Sequence, residues 1–253
     1  MDDIVFREPH VIGILRKRKS QFTMIVDVNG EDISCHCPTT GRIGNIDISG
    51  RPCLLSKSDN PERKTPYTVE AVSLEKPEDP DKKWIGINQN AINRYVEHYL
   101  QNGGFSEIVG TNIIVQREKF LGTSKLDFLV GDTYLEVKMP LQTIQLEMPD
   151  HVKTKKVTPF GSTDRLVKHI TELKHSLEDH QKAALLTCFV YDNPGFRVTQ
   201  KSTHYKEVST AVKDSEKAGV EIWQVNFEMT PEKVKLKKYF KITFSEISSE
   251  QDW

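Results

Sequence analysis

Cysteine is scarce in this chain: Cys35, Cys37, Cys53 and Cys188 are the only four in 253 residues. They form no set of spaced C-x-x-C pairs, so a reduced, intracellular setting is expected rather than a disulfide framework. Long apolar runs are also missing, and none approaches the roughly 20 residues of a membrane span. The opening "MDDIVFREPHVIGIL" is too acidic and too broken for a secretory leader, so a cytoplasmic location is expected. Excess charge of either sign is absent, the formal net charge being −1. That removes the strongly basic balance that would advertise nucleic acid, but it does not exclude that partner, because local patches matter more than the total. There is no internal repeat and no low-complexity segment. What remains is a 37% hydrophobic, 28% charged chain, long enough to bury a real core in one large or two modest domains.

Residues 1–75 read as β, within a first domain expected over 1–80. "HVIGIL", "FTMIVDV", "DISCHC", "PCLLS" and "YTVEAVSL" are short strand candidates, set apart by "NGED", "TTGRIGN" and "SDNPERKTP". So many short strands in so few residues predict a small barrel. Residues 75–83, "EKPEDPDKK", read as a linker, and a second domain is expected over 81–253. There the pattern is α-β-β-β-α-β-α-β, which predicts an α/β domain. Its helices are "NQNAINRYVEHYLQNGG", "STDRLVKHITELKHSL" behind a Ser/Thr cap, and "KEVSTAVKDSEKAG"; its strands include "TNIIVQ", "AALLTCFVY" and "VEIWQVNFEM".

"KLDFLVGDTYLEVKMP", residues 125–140, places charge inside two apolar runs. A two-residue loop at Gly131-Asp132 sets Val130 opposite Thr133 and Asp127 opposite Glu136. Lys125, Asp127, Leu129, Tyr134, Glu136 and Lys138 then share one face, while Leu126, Phe128, Val130, Thr133, Leu135 and Val137 share the other. Opposed carboxylates destabilise a hairpin, and more so if covered, unless a divalent cation sits between them. Mg²⁺ suits one or two carboxylates with water and phosphate oxygens. Lys138 could orient a water or stabilise charge on a phosphate. The alternative is an exposed strand face with mixed charges.

An acidic residue on one strand and Glu-x-Lys on the next, within this order of elements, resembles the PD-(D/E)xK nuclease superfamily at Asp127, Glu136 and Lys138. In order along the chain, "HCPTTGRIG", "SKSDNPERKTPYTVE", "INQNAINR", "SKLDFLV", "YLEVK", "MPDHV", "DRLVKHITEL" and "HYKEVSTAVKDSEKAGVEIWQV" resemble the sugar fermentation stimulation protein A (SfsA) family over essentially the whole chain. The resemblance implies an N-terminal OB-like domain followed by a PD-(D/E)xK restriction-endonuclease-like α/β domain, with DNA binding as the property described for the family. It implies a Mg²⁺ or Mn²⁺ site held by Asp127, Glu136 and the Val137 carbonyl, with Lys138 assisting the attacking water. The stretch from Arg117-Glu118 to Gly122 resembles a family motif that makes Glu118 a third carboxylate; Glu107 is its competitor.

The chain also departs from the family pattern. "KTKKVTPFGS" (153–162) is an insertion, Asp164 stands where Glu is usual and Leu166 where Gly is usual, and Gln21 replaces an arginine expected before Phe22. Arg16, Lys17, Arg18 and Lys19 could supply charge there instead. Arg63 and Lys64, on a loop with Tyr67, and Arg165 and Lys168, at a helix start, are the other candidate nucleic-acid contacts. Lys153, Lys155 and Lys156 read either as a solvated loop or as a DNA-contacting flap. Asn88 reads as a helix N-cap. His169 faces either the site or solvent. Cys35-His36-Cys37 has the look of a metal clip, but on a strand His36 points away from the two thiols, which favours buried thiols over zinc. Besides a metal-dependent nuclease, two other functions fit the sequence: a nucleic-acid-binding protein that does not cleave, DNA being favoured over RNA, and a metabolic accessory protein.

Overall fold

Turn chemistry sets out the first half of the molecule. The computed structural model describes residues 2–39, 41–111, 114–121, 124–156, 164–198 and 204–248. Along the chain come β1 (Ile4–Val5), β2 (Val11–Ser20), β3 (Thr23–Val28), β4 (Glu31–His36), β5 (Pro52–Lys57), β6 (Tyr67–Ser73) and β7 (Trp84–Gly86). Then follow α1 (Ile92–Gln101), α2 (Ser106–Val109), β8 (Val115–Leu121), β9 (Ser124–Val130) and β10 (Thr133–Lys138). The chain continues with α3 (Asp164–Ser176), β11 (Lys182–Phe189), α4 (Tyr205–Lys217), β12 (Glu221–Met229), β13 (Lys233–Ile242) and α5 (Phe244–Ile247).

Asn29 and Gly30 join β3 to β4 with φ of 55° and 90°. These left-handed values make the tight hairpin that Asn-Gly favours. Strands pair in the order β4-β3-β2-β5-β6-β7, and β4 also pairs β6 in parallel at His36 and Thr68. That last pairing closes five strands into an OB barrel and leaves no open edge between them. Leu15, Met24, Val26, Cys35, Cys53 and Leu55 fill it and are fully buried. Burial pushes the Cys35 thiol up to about 11. His36 is half-buried, so the barrel buries the thiols of the Cys-His-Cys stretch and turns the imidazole aside.

The second sheet has seven strands in the order β1-β13-β12-β11-β10-β9-β8. The pairs β10–β11 and β11–β12 are parallel, as the crossovers through α3 and α4 require. β11 is buried on both faces. Ala183 and Leu185 pack toward Ile170 and Leu173 of α3, while Ala184, Leu186 and Cys188 join the core beneath α1. β1 lies in this sheet, although residues 1–80 were expected to form the barrel, and the barrel sheet runs on through β7 to Gly86. Beyond β1's short reach, the Tyr99 hydroxyl takes over as edge partner of β13: it donates to Val234 O at 3.2 Å and accepts from Leu236 N at 2.8 Å.

The domains share one hydrophobic cluster, running from Leu15 of β2 to Phe227 of β12. At the joint, Gly86 N–H donates to Val190 O at 2.9 Å, and a Cβ on Gly86 would lie 2.5 Å from the Val190 Cβ. Only glycine allows that approach. Gln89 ties barrel to site, accepting from Thr39 Oγ1 at 2.6 Å and donating to Met139 O at 2.8 Å. Asn88 does not cap α1. It donates to the buried Glu70 at 2.7 Å, and Ala91 occupies the cap position. The Ser/Thr cap expected for α3 lies outside the described residues.

His10, in the segment between β1 and β2, is a pH-sensitive group. Its ring stacks on Phe6 with ring centroids 3.9 Å apart, and its backbone N–H donates to Pro231 O at 2.7 Å. Burial pushes its imidazole down from 6.5 to about 4. The unfolded chain therefore takes up this proton below pH 6.5, and the folded chain only near pH 4. Acid favours unfolding across that window. Urea unfolding at several pH values is expected to show a loss on the order of 2 kcal/mol between the two limits that His10→Phe lacks.

Candidate metal centre

The hairpin at Gly131-Asp132 forms in the expected register, with Val130, Leu129 and Phe128 opposite Thr133, Tyr134 and Leu135. The ladder stops there. The next β10 amide, Val137 N–H, donates to the Asp127 side chain at 2.8 Å, so a carboxylate oxygen stands where a strand carbonyl would otherwise continue the pairing. On its other side β9 pairs with β8 at Phe128–Arg117 and Leu126–Lys119 but skips Asp127 and Glu118. Glu118 has φ of 49°, a left-handed value uncommon for a residue with a side chain. This break corrects the simple two-face alternation. Leu126 packs toward α3, whereas Phe128, Val130, Leu135 and Val137 pack into the core beneath α1.

Asp127 is held at both oxygens. Oδ1 accepts from Asn93 of α1 at 2.7 Å and Oδ2 from Val137 N. Burial first, and the nearby Glu136 charge second, raise its pKa above the usual carboxylate range. Glu136 is 1% exposed. Its Oε1 meets Lys138 Nζ and the Nδ1 of the buried His169. Its Oε2 is buried with no hydrogen-bond partner among the described residues. A buried, unpartnered carboxylate oxygen is costly, and beside a second carboxylate it is a ready ligand for a hard cation.

Asp127, Glu136, Val137 and Lys138 line a cavity of about 650 Å³. Arg165 lines it as well, as do Arg197 and the apolar side chains between α3, α4 and the sheet. The structure thus gathers the two central carboxylates and the lysine, and adds Asn93 and His169 around them. Glu118 is not gathered with them. It is exposed and bonds Lys125 at 2.8 Å, and neither it nor Glu107 is on the cavity wall. Among the described residues no group of three His, Cys, Asp or Glu side chains is placed to hold a metal. The donor set fits an ion that takes two carboxylates, a carbonyl and water, as Mg²⁺ and Mn²⁺ do. It does not form a three-carboxylate cage.

Three of the six candidate barrel cations are engaged within the protein. Arg16 pairs with Asp27, and with Asp32 at 3.5 Å. Arg18 donates to the carbonyls of Gly41, Gln21 and Thr39 at 2.6, 2.8 and 2.6 Å, pinning the loop after β4. Arg63 donates to Thr68 Oγ1 at 3.1 Å. Lys17, Lys19 and Lys64 are exposed, as is Lys168 on α3. The basic segment after Val152 is stitched to the barrel: Thr154 bridges Ile46, and Lys155 pairs with Asp47 at 3.1 Å. The rest of the insertion, from residue 157, lies outside the described residues.

An OB barrel fused through a common core to an α/β domain, with a buried carboxylate pair in that domain, defines the class of protein. Comparison with known families gives the same division. The family model "SfsA N-terminal OB domain" matches residues 17–87, and "Sugar fermentation stimulation protein RE domain" matches residues 90–233. The chain belongs to the SfsA family. A sugar fermentation stimulation protein homolog of Microcystis aeruginosa is 31% identical over 232 residues, 87% of this chain and 90% of that one. One from Picosynechococcus is 32% identical over 234 residues, 90% of this chain and 89% of that one. A solved structure, "The structure of Pyrococcus Furiosus SfsA in complex with Ca2+", superposes with a TM-score of 0.71 at 19% identity, covering 96% of this chain and 99% of that one. At that identity the likeness shows the fold.

Proposed function

We propose that this chain is a divalent-metal-dependent nuclease that hydrolyses phosphodiester bonds at Asp127, Glu136 and Lys138, its α/β domain being of the PD-(D/E)xK kind. The observation that carries the reading is the buried, unpartnered Oε2 of Glu136 beside Asp127. Asp127, Glu136 and the Val137 carbonyl would hold Mg²⁺ or Mn²⁺. Such an ion, when bound, polarises a phosphoryl oxygen and acidifies a water. A relative of the same fold was solved in complex with Ca²⁺, another oxygen-seeking ion, which supports the reading. Lys138, part-exposed at the cavity, orients the attacking water and stabilises the charge growing on the phosphoryl oxygens. Water gives up a proton to solvent as it adds to phosphorus, the bond to the leaving sugar oxygen breaks, and that oxygen takes up a proton from solvent. His169 and Asn93 act through the carboxylates, fixing their orientation. The partner is nucleic acid, DNA before RNA. Four free, buried cysteines suit a reducing compartment, and the proposal places the protein in the cytoplasm.

A second reading, a non-cleaving nucleic-acid-binding protein, is favoured by the commitment of Glu118 to Lys125. The two are separated by incubating plasmid and labelled oligonucleotides with the purified protein, with and without Mn²⁺, beside gel shifts across a salt series. Metal-dependent products support the nuclease. Salt-sensitive binding with no products under any metal supports the second reading.

A further inference from the structure

The carboxylates share their cavity with a set of apolar side chains. The cavity of about 650 Å³ that Asp127 and Glu136 line is also lined by the apolar Leu166, Ile170, Leu185, Ile222 and Phe196. That volume lies within the ~300–1,000 Å³ of sites that enclose one small molecule. A duplex, whose major groove alone is about 12 Å wide, cannot enter it. The lysines of β13 are spent in ion pairs with Asp3, Asp192, Glu221 and Glu228. Arg165 and Arg197, both exposed on the cavity wall, form no ion pair within the described residues. The backbone carrying Arg197 is fixed: Gln145 accepts from Arg197 N at 3.1 Å and donates to its carbonyl, and Asn193 donates to Gln145 Oε1 at 3.2 Å.

Resting on the nuclease reading, we propose that the substrate is an unpaired DNA strand and that the cavity takes one of its nucleotides. The phosphate lies toward Lys138, Arg165 and Arg197. The base, whose faces are apolar, enters the cavity and packs against Phe196 and the aliphatic wall. Arg197 is a phosphate-binding residue that nothing in the hairpin pattern signals.

The test is fluorescence anisotropy in Ca²⁺ with a short labelled thymidine oligonucleotide. Its comparators are a blunt duplex of the same length and a strand in which the central nucleotides are abasic. The single strand is expected to bind about 10-fold tighter than the duplex, and the abasic strand to lose about 10-fold. Arg197→Ala is expected to weaken single-strand binding about 5- to 10-fold with thermal unfolding unchanged. Equal or tighter duplex binding, or equal binding of the abasic strand, overturns the inference. Duplex cleavage in Mn²⁺ with no single-strand preference sinks this inference and leaves the nuclease standing. Single-strand preference with no cleavage in any metal removes the nuclease and keeps the binding mode. No binding of any of the three probes overturns both.

Discussion

Lys138→Ala is expected to lower Mn²⁺-dependent cleavage by about 10²- to 10³-fold while leaving metal affinity intact or raised. Its ammonium now sits on Glu136 Oε1, so its loss removes a competitor for that carboxylate and takes away no ligand. Asp127→Ala is expected to lose at least as much rate and the metal as well, because it removes one of the two carboxylates of the proposed site, the one whose oxygens Asn93 and Val137 N hold in place. Rates of oligonucleotide cleavage at saturating Mn²⁺, measured for both variants, check the division of roles. Activity that survives both substitutions would place hydrolysis elsewhere on the molecule.

Phe227→Ala is expected to cost about 3–5 kcal/mol of unfolding free energy. The ring is fully buried on β12, 6.1 Å from Tyr95 and 5.8 Å from Tyr99 between ring centroids, and so seats α1 on the sheet. The loss should appear in one cooperative transition, because the cluster that holds Phe227 extends without a break into the barrel. Trp84 of β7 and Trp223 of β12 report on the two domains, and their fluorescence in urea should lose intensity together. A melt in which the barrel outlasts the α/β domain would contradict the shared core. The substitution also bears on the site, since Asn93 reaches Asp127 from α1.

The barrel was legible because Asn-Gly and the other turn residues cut the first third of the chain into short alternating strands. β11 was legible as an unbroken apolar run, and the carboxylate pair through hairpin register. Other features had no local signal. β13 reads "KVKLKKYFKI", and its lysines hide a strand that is paired through ion pairs on the solvent side. β1 is two residues long and owes its place to a partner more than 200 positions away. The break at Glu118 and Asp127 inverts the alternation that register reasoning assumes, and so moves Leu126 to the helical side. It also leaves Glu118 pointing to Lys125 and away from the expected carboxylate cluster. Arg18 reads as a surface cation, yet it is consumed by three carbonyls that only the folded loop brings near. Asn93 and His169 join the site from helices far along the chain, through contacts that spacing cannot express.

In the proposed site Glu136 and Asp127 together hold a divalent cation. Calorimetric titration of Mn²⁺ into the wild-type protein and into Glu136→Gln tests it most directly. A single site is expected in the wild type and none in the variant, since the amide keeps the shape of the side chain and removes the charge of the unpartnered oxygen. The same heat and affinity in Glu136→Gln would contradict it.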